Sequence, residues 1–451
     1  MRVPRIHHVV LEDDPDALFR KLPAGRRFRF AGGPGAPTVL GAWAVAELRA
    51  SRHDADPFPL MQLRGLLPRV PAARRDGLFP GGAVGALTYE ACAPPEGLPP
   101  RAPGRDDPPD VVFHVVDTFA ASHPSGDTEI VSWGLAPDGT FDGKLALHRA
   151  GALEEILRSP APPPAPVPPA GDLLASFSRA EHAAALGRLR AAIERGDIYQ
   201  GNLTCRFETS LPGDGVPLFE SLLRGNPAPH AAFLETEGMT VISASPERLL
   251  RADGRLVETR PIKGTAARDE DPAEDAARAR ALAASPKDRA ELLMITDLLR
   301  NDLGKVCRFG SVRVPRLQEV ESFAHVHHLV STVVGELRPG ADVLDALAAV
   351  LPGGSITGAP KRRAVEILAG LEPVPRGAYT GSVGWIGFDR SADFNVAIRS
   401  GHLRNGRFSF GAGGGIVWDS TADAEWDELC LKALGMRRAL GLETAAEAGA
   451  R

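Results

Sequence analysis

Lysine is scarce in this chain. Of its 52 basic residues only seven are lysine, so charge and solubility rest on arginine. A lysine inside a compact turn therefore raises a chemical question, because an amine can lose its proton and attack carbon, whereas a guanidinium cannot. Lys263 lies in PIKGT (261–265), where Pro261 fixes a turn and Gly264 opens the backbone. It is either a solvated turn lysine or an amine nucleophile whose proton is loosened by burial or by a nearby cation. Glu425, Glu428 and Lys432 stand at i, i+3 and i+7 and share one helix face. By themselves they make a surface ion-pair ladder. They also follow GAGGGIVWDS (411–420), read as strand to Phe410 and then a glycine loop whose N–H groups can approach an anion. In that setting they could hold a divalent cation and a carboxylate ligand, and two carboxylates with open positions suit Mg²⁺. Glu291 sits one turn into a helix that opens SPKD. There Ser285 suits the N-cap, Pro286 the first turn, and Asp288 a capping box. This leaves Glu291 facing either solvent or a site.

Two further glycine-rich runs narrow the chemistry. PGGSITGAPK (352–361) leads into a helix whose N-terminus favours anions. It lacks the lysine spacing of a P-loop, and GSVGWIG (381–387) lacks the dinucleotide fingerprint.

These loops need a scaffold. A proline-rich run, SPAPPPAPVPPAG at 159–171, favours an extended linker. It separates an N-terminal region, 1–158, from a second region, 172–440, with 441–451 as a tail. In the second region the patterns predict helices at 181–195, 216–224, 286–303, 342–350, 360–371 and 423–440. Strands are predicted at 203–210, 231–236, 239–244, 247–252, 255–259, 312–314, near 380–388, 393–400 and 407–412. Runs of strands with helices grouped between them indicate an α+β fold with large antiparallel sheets.

Composition excludes several classes. The 451 residues are 43% apolar and 24% charged, ordinary for a globular chain. A net charge of −5 and the absence of a Lys/Arg-rich run argue against nucleic acid as a partner. No apolar run has the length of a membrane span, and the N-terminus lacks a signal-peptide core. Cys92, Cys205, Cys307 and Cys430 are too widely spaced for a zinc site or a disulfide framework, so a reducing cytoplasm is expected.

Taken together, the motifs resemble those of the chorismate-utilising enzymes. The resemblance runs through SPERLL (245–250), PIKGT, DLLRNDLGKV (297–306), VHHLVST (326–332), PGGSITGAPK, RGAYTG (376–381), DFNVAIRS (393–400) and GAGGGIVWDSTADAEWDE (411–428). It covers about 175–440 and, more weakly, GGAVGALTYE (81–90). It implies two large, orthogonally packed antiparallel β-sheets flanked by helices, as in anthranilate synthase component I, and a Mg²⁺-dependent site for chorismate. By the same resemblance, Glu291 and Glu428 are the metal ligands and Glu247 is the acid that protonates the departing C4 hydroxyl. Tyr379 and Arg399 bind the enolpyruvyl carboxylate, where an arginine fork suits a carboxylate. Gly264, Thr265, His328, the backbone of Gly413, Gly414 and Gly415, and Lys432 supply the remaining substrate contacts.

Within the family, a lysine in the PIKGT position resembles the aminodeoxychorismate synthase branch, whereas anthranilate synthases usually carry alanine. That branch adds the lysine to ring C2, then admits ammonia at C4. Isochorismate and salicylate synthases are expected to place a water-activating lysine at the position of Gly201 in IYQGNLTCR (198–206), where glycine cannot act as a base. No cysteine lies in a glutamine-amidotransferase elbow, so ammonia is expected from a separate glutaminase subunit. With no lyase segment recognised, the product is expected to be 4-amino-4-deoxychorismate, the precursor of para-aminobenzoate and folate. The competing readings are an anthranilate synthase component I and a non-catalytic chorismate-binding module.

Overall fold

The structure, a computed structural model, describes residues 4–11, 13–33, 35–51, 59–70, 78–92, 107–323 and 325–442. All but the start of the expected tail lies outside them. Two antiparallel sheets dominate. The first orders its strands Arg5–Val10, Asp127–Ser132, Thr118–Ser122, Thr38–Gly41, Phe28–Phe30, His230–Thr236, Met239–Ser245, Ser400–Arg404, Arg407–Ile416, Gln200–Ser210 and Gly358–Ala359. The second runs Ile262–Ala267, Val326–Glu336, Leu256–Arg260, Arg248–Asp253, Ala392–Asn395, Ser382–Gly387, Gly82–Leu87, Val111–Val116 and Ala46–Ala50. The run 159–171 carries neither helix nor strand, yet strands from both sides of it complete both sheets. It is a boundary in the chain and not between cores.

Strand alternation sorts the side chains into layers. On Arg407–Ile416, Phe408, Phe410, Ala412 and Ile416 pack outward with Leu203, Cys205 and Phe207 against the helices Arg179–Glu194, Val216–Gly225 and Ala422–Ala439. A second cluster joins the far sheet to the helices Pro286–Gly304 and Val343–Val350. Between the sheets lies a third cluster, including Phe28, Phe79, Phe119, Val241, Val383 and Trp385. The order is therefore helices, sheet, sheet, helices, and polar groups between the sheets can only occur where this middle layer runs out.

Two loops expected from the sequence are strands. Lys263 stands in the strand Ile262–Ala267, paired to Val326–Glu336 with a register shift between Lys263 and Thr265. The glycines 411–415 continue the strand Arg407–Ile416 and pair with Gln200–Ser210 along their whole length. Glycine has low strand preference, but a full ladder of partner hydrogen bonds overrides it. The helix Pro272–Ala284 and the long strand Val326–Glu336 were not foreseen, and the strand expected at 393–400 divides into Ala392–Asn395 and Ser400–Arg404. The division falls where the chain leaves one sheet for the other.

Candidate active site

Chain crossings between the sheets build the site. Glu247 sits on the two-residue corner between Met239–Ser245 of the first sheet and Arg248–Asp253 of the second. The corner is held by Ser245 Oγ donating to the Val396 carbonyl at 2.5 Å and by the Val396 amide donating to the Glu247 carbonyl at 3.0 Å. Arg399 stands at the opposite crossing with φ of 51°. Its carbonyl accepts from the Ala244 amide at 3.1 Å.

Lys263 is the common neighbour of the acids. Its Nζ lies 3.6 Å from Glu291 Oε2, both side chains being mostly buried. Glu247 is 4% exposed. Burial pushes its carboxyl up to about 7, against the opposing influence of Ser355, the Lys263 charge and the Ile262 amide. At neutral pH a large fraction of Glu247 therefore carries a proton that it can donate. Glu428 is half-exposed and pairs with Lys432 at 2.7 Å. Burial raises its pKa, but Lys432, Lys287 and Lys263 outweigh burial and hold the carboxyl below its usual value. Glu425 is buried and accepts from Ser420 Oγ at 2.7 Å. Burial raises its carboxyl, as does the neighbouring Glu428 charge.

The Glu428–Lys432 pair is the ladder that the helix spacing allows. It also has a tertiary anchor, because Lys432 Nζ donates to the Gly413 carbonyl at 2.9 Å. The donor chemistry around Lys263 fits a hard divalent cation, since Glu291, 3.6 Å from its Nζ, and Glu428, which feels its charge, both offer carboxylate oxygens. Among the described residues no group of three or more His, Cys, Asp or Glu forms a ready metal cage. A cation there would need water or substrate oxygens to complete its shell.

A second cluster lies on the same pair of strands. Thr265 Oγ1 and His328 Nδ1 are 2.9 Å apart. Burial, reinforced by Arg399, lowers His328 to about 4 and keeps the ring neutral. Among the described residues no carboxylate lies within ion-pair distance of Arg399. Tyr379 is buried, its phenol is pushed up to about 12 by burial, and its ring occupies the space a side chain at Gly411 would need. Gly264 has φ of 75°, and a Cβ there would crowd Leu282 and Asp288. Ser285 caps the helix Pro286–Gly304 by accepting from the Asp288 amide, while the Asp288 carboxylate lies toward Gly264.

The strand pleat corrects the expectation for Gly201. A Cβ at Gly201 would meet Leu189 and Ile198 in the helix-side core, so this position does not face the site. Gln200 does. It is 1% exposed, its amide nitrogen occupies the space over Gly415, and its Oε1 is buried without a hydrogen-bond partner among the described residues. The sequence held the signal, because Leu203, Cys205 and Phe207 put odd positions on the apolar face and hence Gln200 on the other. The glycines also gain a reason. Gly414 leaves room for Glu425, and Gly415 for Gln200 and for Lys263 Nζ, 3.4 Å from where a Cβ would stand.

Acids, an amine and a guanidinium without a carboxylate partner among the described residues, contributed by both sheets and their flanking helices, define a candidate enzyme site for a small anionic substrate. Residues 11–438 match the chorismate binding enzyme family. Aminodeoxychorismate synthase component 1 of Bacillus subtilis is 35% identical over 446 residues, 97% of this chain and 92% of that protein. Anthranilate synthase component 1 of Streptomyces coelicolor is 40% identical over 400 residues, 85% of this chain and 77% of that one. The crystal structure of anthranilate synthase component I from Streptococcus pneumoniae superposes with a TM-score of 0.76 at 28% identity, covering 95% of this chain and 94% of that chain. The chain belongs to the chorismate-binding enzyme family and is a chorismate-utilising enzyme.

Proposed function

We propose that this enzyme is the large subunit of an aminodeoxychorismate synthase, replacing the C4 hydroxyl of chorismate with an amino group. The observation that carries this reading is Lys263, a mostly buried amine 3.6 Å from Glu291 and in electrostatic contact with the largely buried acid Glu247. The similarity to aminodeoxychorismate synthase component 1 of Bacillus subtilis supports it.

Arg399 and Tyr379 bind the enolpyruvyl carboxylate, with His328 and Thr265 beside them. Glu291 and Glu428 would hold Mg²⁺, which supplies positive charge for the ring carboxylate when bound. Lys263, as the free amine, forms a bond to ring C2. Both conjugated ring double bonds shift, C1=C2 to C1=C6 and C5=C6 to C4=C5, the C4–O bond breaks, and Glu247 gives its proton to the leaving oxygen, so that water departs. Ammonia then bonds to C4, both double bonds shift back, and the C2–Nζ bond breaks to restore the lysine. The Gln200 oxygen, without a partner among the described residues, would accept a hydrogen bond from ammonia. A glutaminase subunit supplies that ammonia, and the retained pyruvyl group leaves 4-amino-4-deoxychorismate for a lyase of the para-aminobenzoate and folate route.

Purified protein with chorismate, Mg²⁺ and ammonium chloride should give a product that an aminodeoxychorismate lyase converts to para-aminobenzoate. Direct release of anthranilate would assign the chain to the anthranilate synthases instead.

A further inference from the structure

The N-terminal region holds the loop 376–380 through the turn that carries Tyr89 and Glu90. Glu90, buried in the short turn Tyr89–Cys92, accepts the Arg376 amide on one oxygen at 2.6 Å and the Gly377 amide on the other at 3.0 Å. The Tyr89 amide donates to the Gly377 carbonyl at 2.9 Å, and the Arg376 guanidinium lies over the Tyr89 ring, 4.2 Å from its centre.

That guanidinium is itself tied on every side. It forks onto Glu372 at 2.9 and 2.7 Å, and it donates to the carbonyls of Ile356 and Asn202 and to Thr380 Oγ1. Two residues of the segment sit in the left-handed region, Gly377 at φ 67° and Thr380 at φ 61°. The second is unfavourable for a β-branched residue and persists only where neighbours hold it. Between them lies Tyr379.

We propose that Glu90 is a positioning residue, a clamp from the N-terminal region that sets the loop 376–380 and so aims Tyr379 at the carboxylate of the substrate. This rests on the reading that Tyr379 and Arg399 bind that carboxylate. A backbone pair held by both oxygens of one carboxylate cannot rotate independently, and a substrate-binding group a fraction of an ångström out of place loses binding before it loses chemistry.

The test is chorismate consumption by the full chain with Mg²⁺ and ammonium, followed whatever the product. In Glu90→Gln one of the two amides faces an NH₂ group and loses its acceptor, so KM for chorismate should rise roughly tenfold while kcat changes much less. In a Tyr379→Phe background the same substitution should add little, because both act through one ring. Glu90→Asp keeps the charge but is one methylene shorter. It should also raise KM, and it decides the matter if Glu90→Gln does not fold. Unchanged KM in the folded variant, or effects of Glu90 and Tyr379 that simply add, would overturn the clamp. Tyr379→Phe and Arg399→Ala serve as controls. If neither weakens chorismate binding, the assignment of the loop itself is wrong. If both do and Glu90 variants do not, only the clamp falls.

Discussion

Replacing Glu247 with glutamine separates the proton from the shape of the side chain. Burial raises this carboxyl from 4.5 to about 7. A shift of that size means that ionising Glu247 costs the folded state roughly 3 kcal/mol relative to the unfolded chain. The sign follows from the proton count. Between pH 4.5 and 7 the unfolded chain has released this proton and the folded one retains it. The term therefore erodes stability as pH rises through that window and is constant above it. Glutamine cannot ionise, so Glu247→Gln should lose the slope and gain roughly 3 kcal/mol on the wild type between pH 4.5 and pH 8. Urea unfolding followed by tryptophan fluorescence at several pH values measures the difference. Chorismate turnover should move the opposite way, falling by roughly 10²–10⁴ for want of a general acid. Wild-type kcat/KM should decline as pH passes about 7, the value to which burial raises the acid. Parallel stability profiles for the two proteins would refute the burial argument, and a variant with wild-type turnover would refute the acid role.

Lys263→Ala should cut chorismate consumption by roughly 10²-fold or more and abolish any trapped covalent adduct, read by intact-protein mass spectrometry. Chelation with EDTA should stop turnover, and Glu291→Gln or Glu428→Gln should raise the Mg²⁺ needed for half-maximal rate by roughly tenfold or more. Gly415→Ala should lower kcat/KM by roughly tenfold, because the new methyl collides with the Gln200 amide, beside Lys263 Nζ, and forces it to move. Gly151→Ala, on an exposed helix position with nothing within 4 Å, should instead stabilise the fold by about 0.5–1 kcal/mol with turnover unchanged. Thermal midpoints and steady-state kinetics on the pair distinguish local crowding from a general intolerance of alanine.

Local pattern was enough for much of the scaffold. The helices Arg179–Glu194, Pro286–Gly304 and Ala422–Ala439 lie within two residues of the sequence reading. Ser285 with Pro286, and the 3.6-residue recurrence of apolar positions, are signals carried within a few residues. The motifs also named the lysine and the acids that meet around it. What they could not supply was pairing. Whether the glycines 411–415 form a loop or a strand depends on a partner some two hundred residues earlier in the chain, Gln200–Ser210. Whether Gly201 or Gln200 points away from the helix-side core depends on which face of that strand the helices cover. Likewise, the acidity of Glu247 is a consequence of burial at a crossing between two sheets, and no property of the tripeptide around it contains that information. The sequence by itself determined which chemical groups are present and which segments could be helical. Only the tertiary structure decided which groups face one another and in what protonation state, because both depend on long-range packing that excludes water.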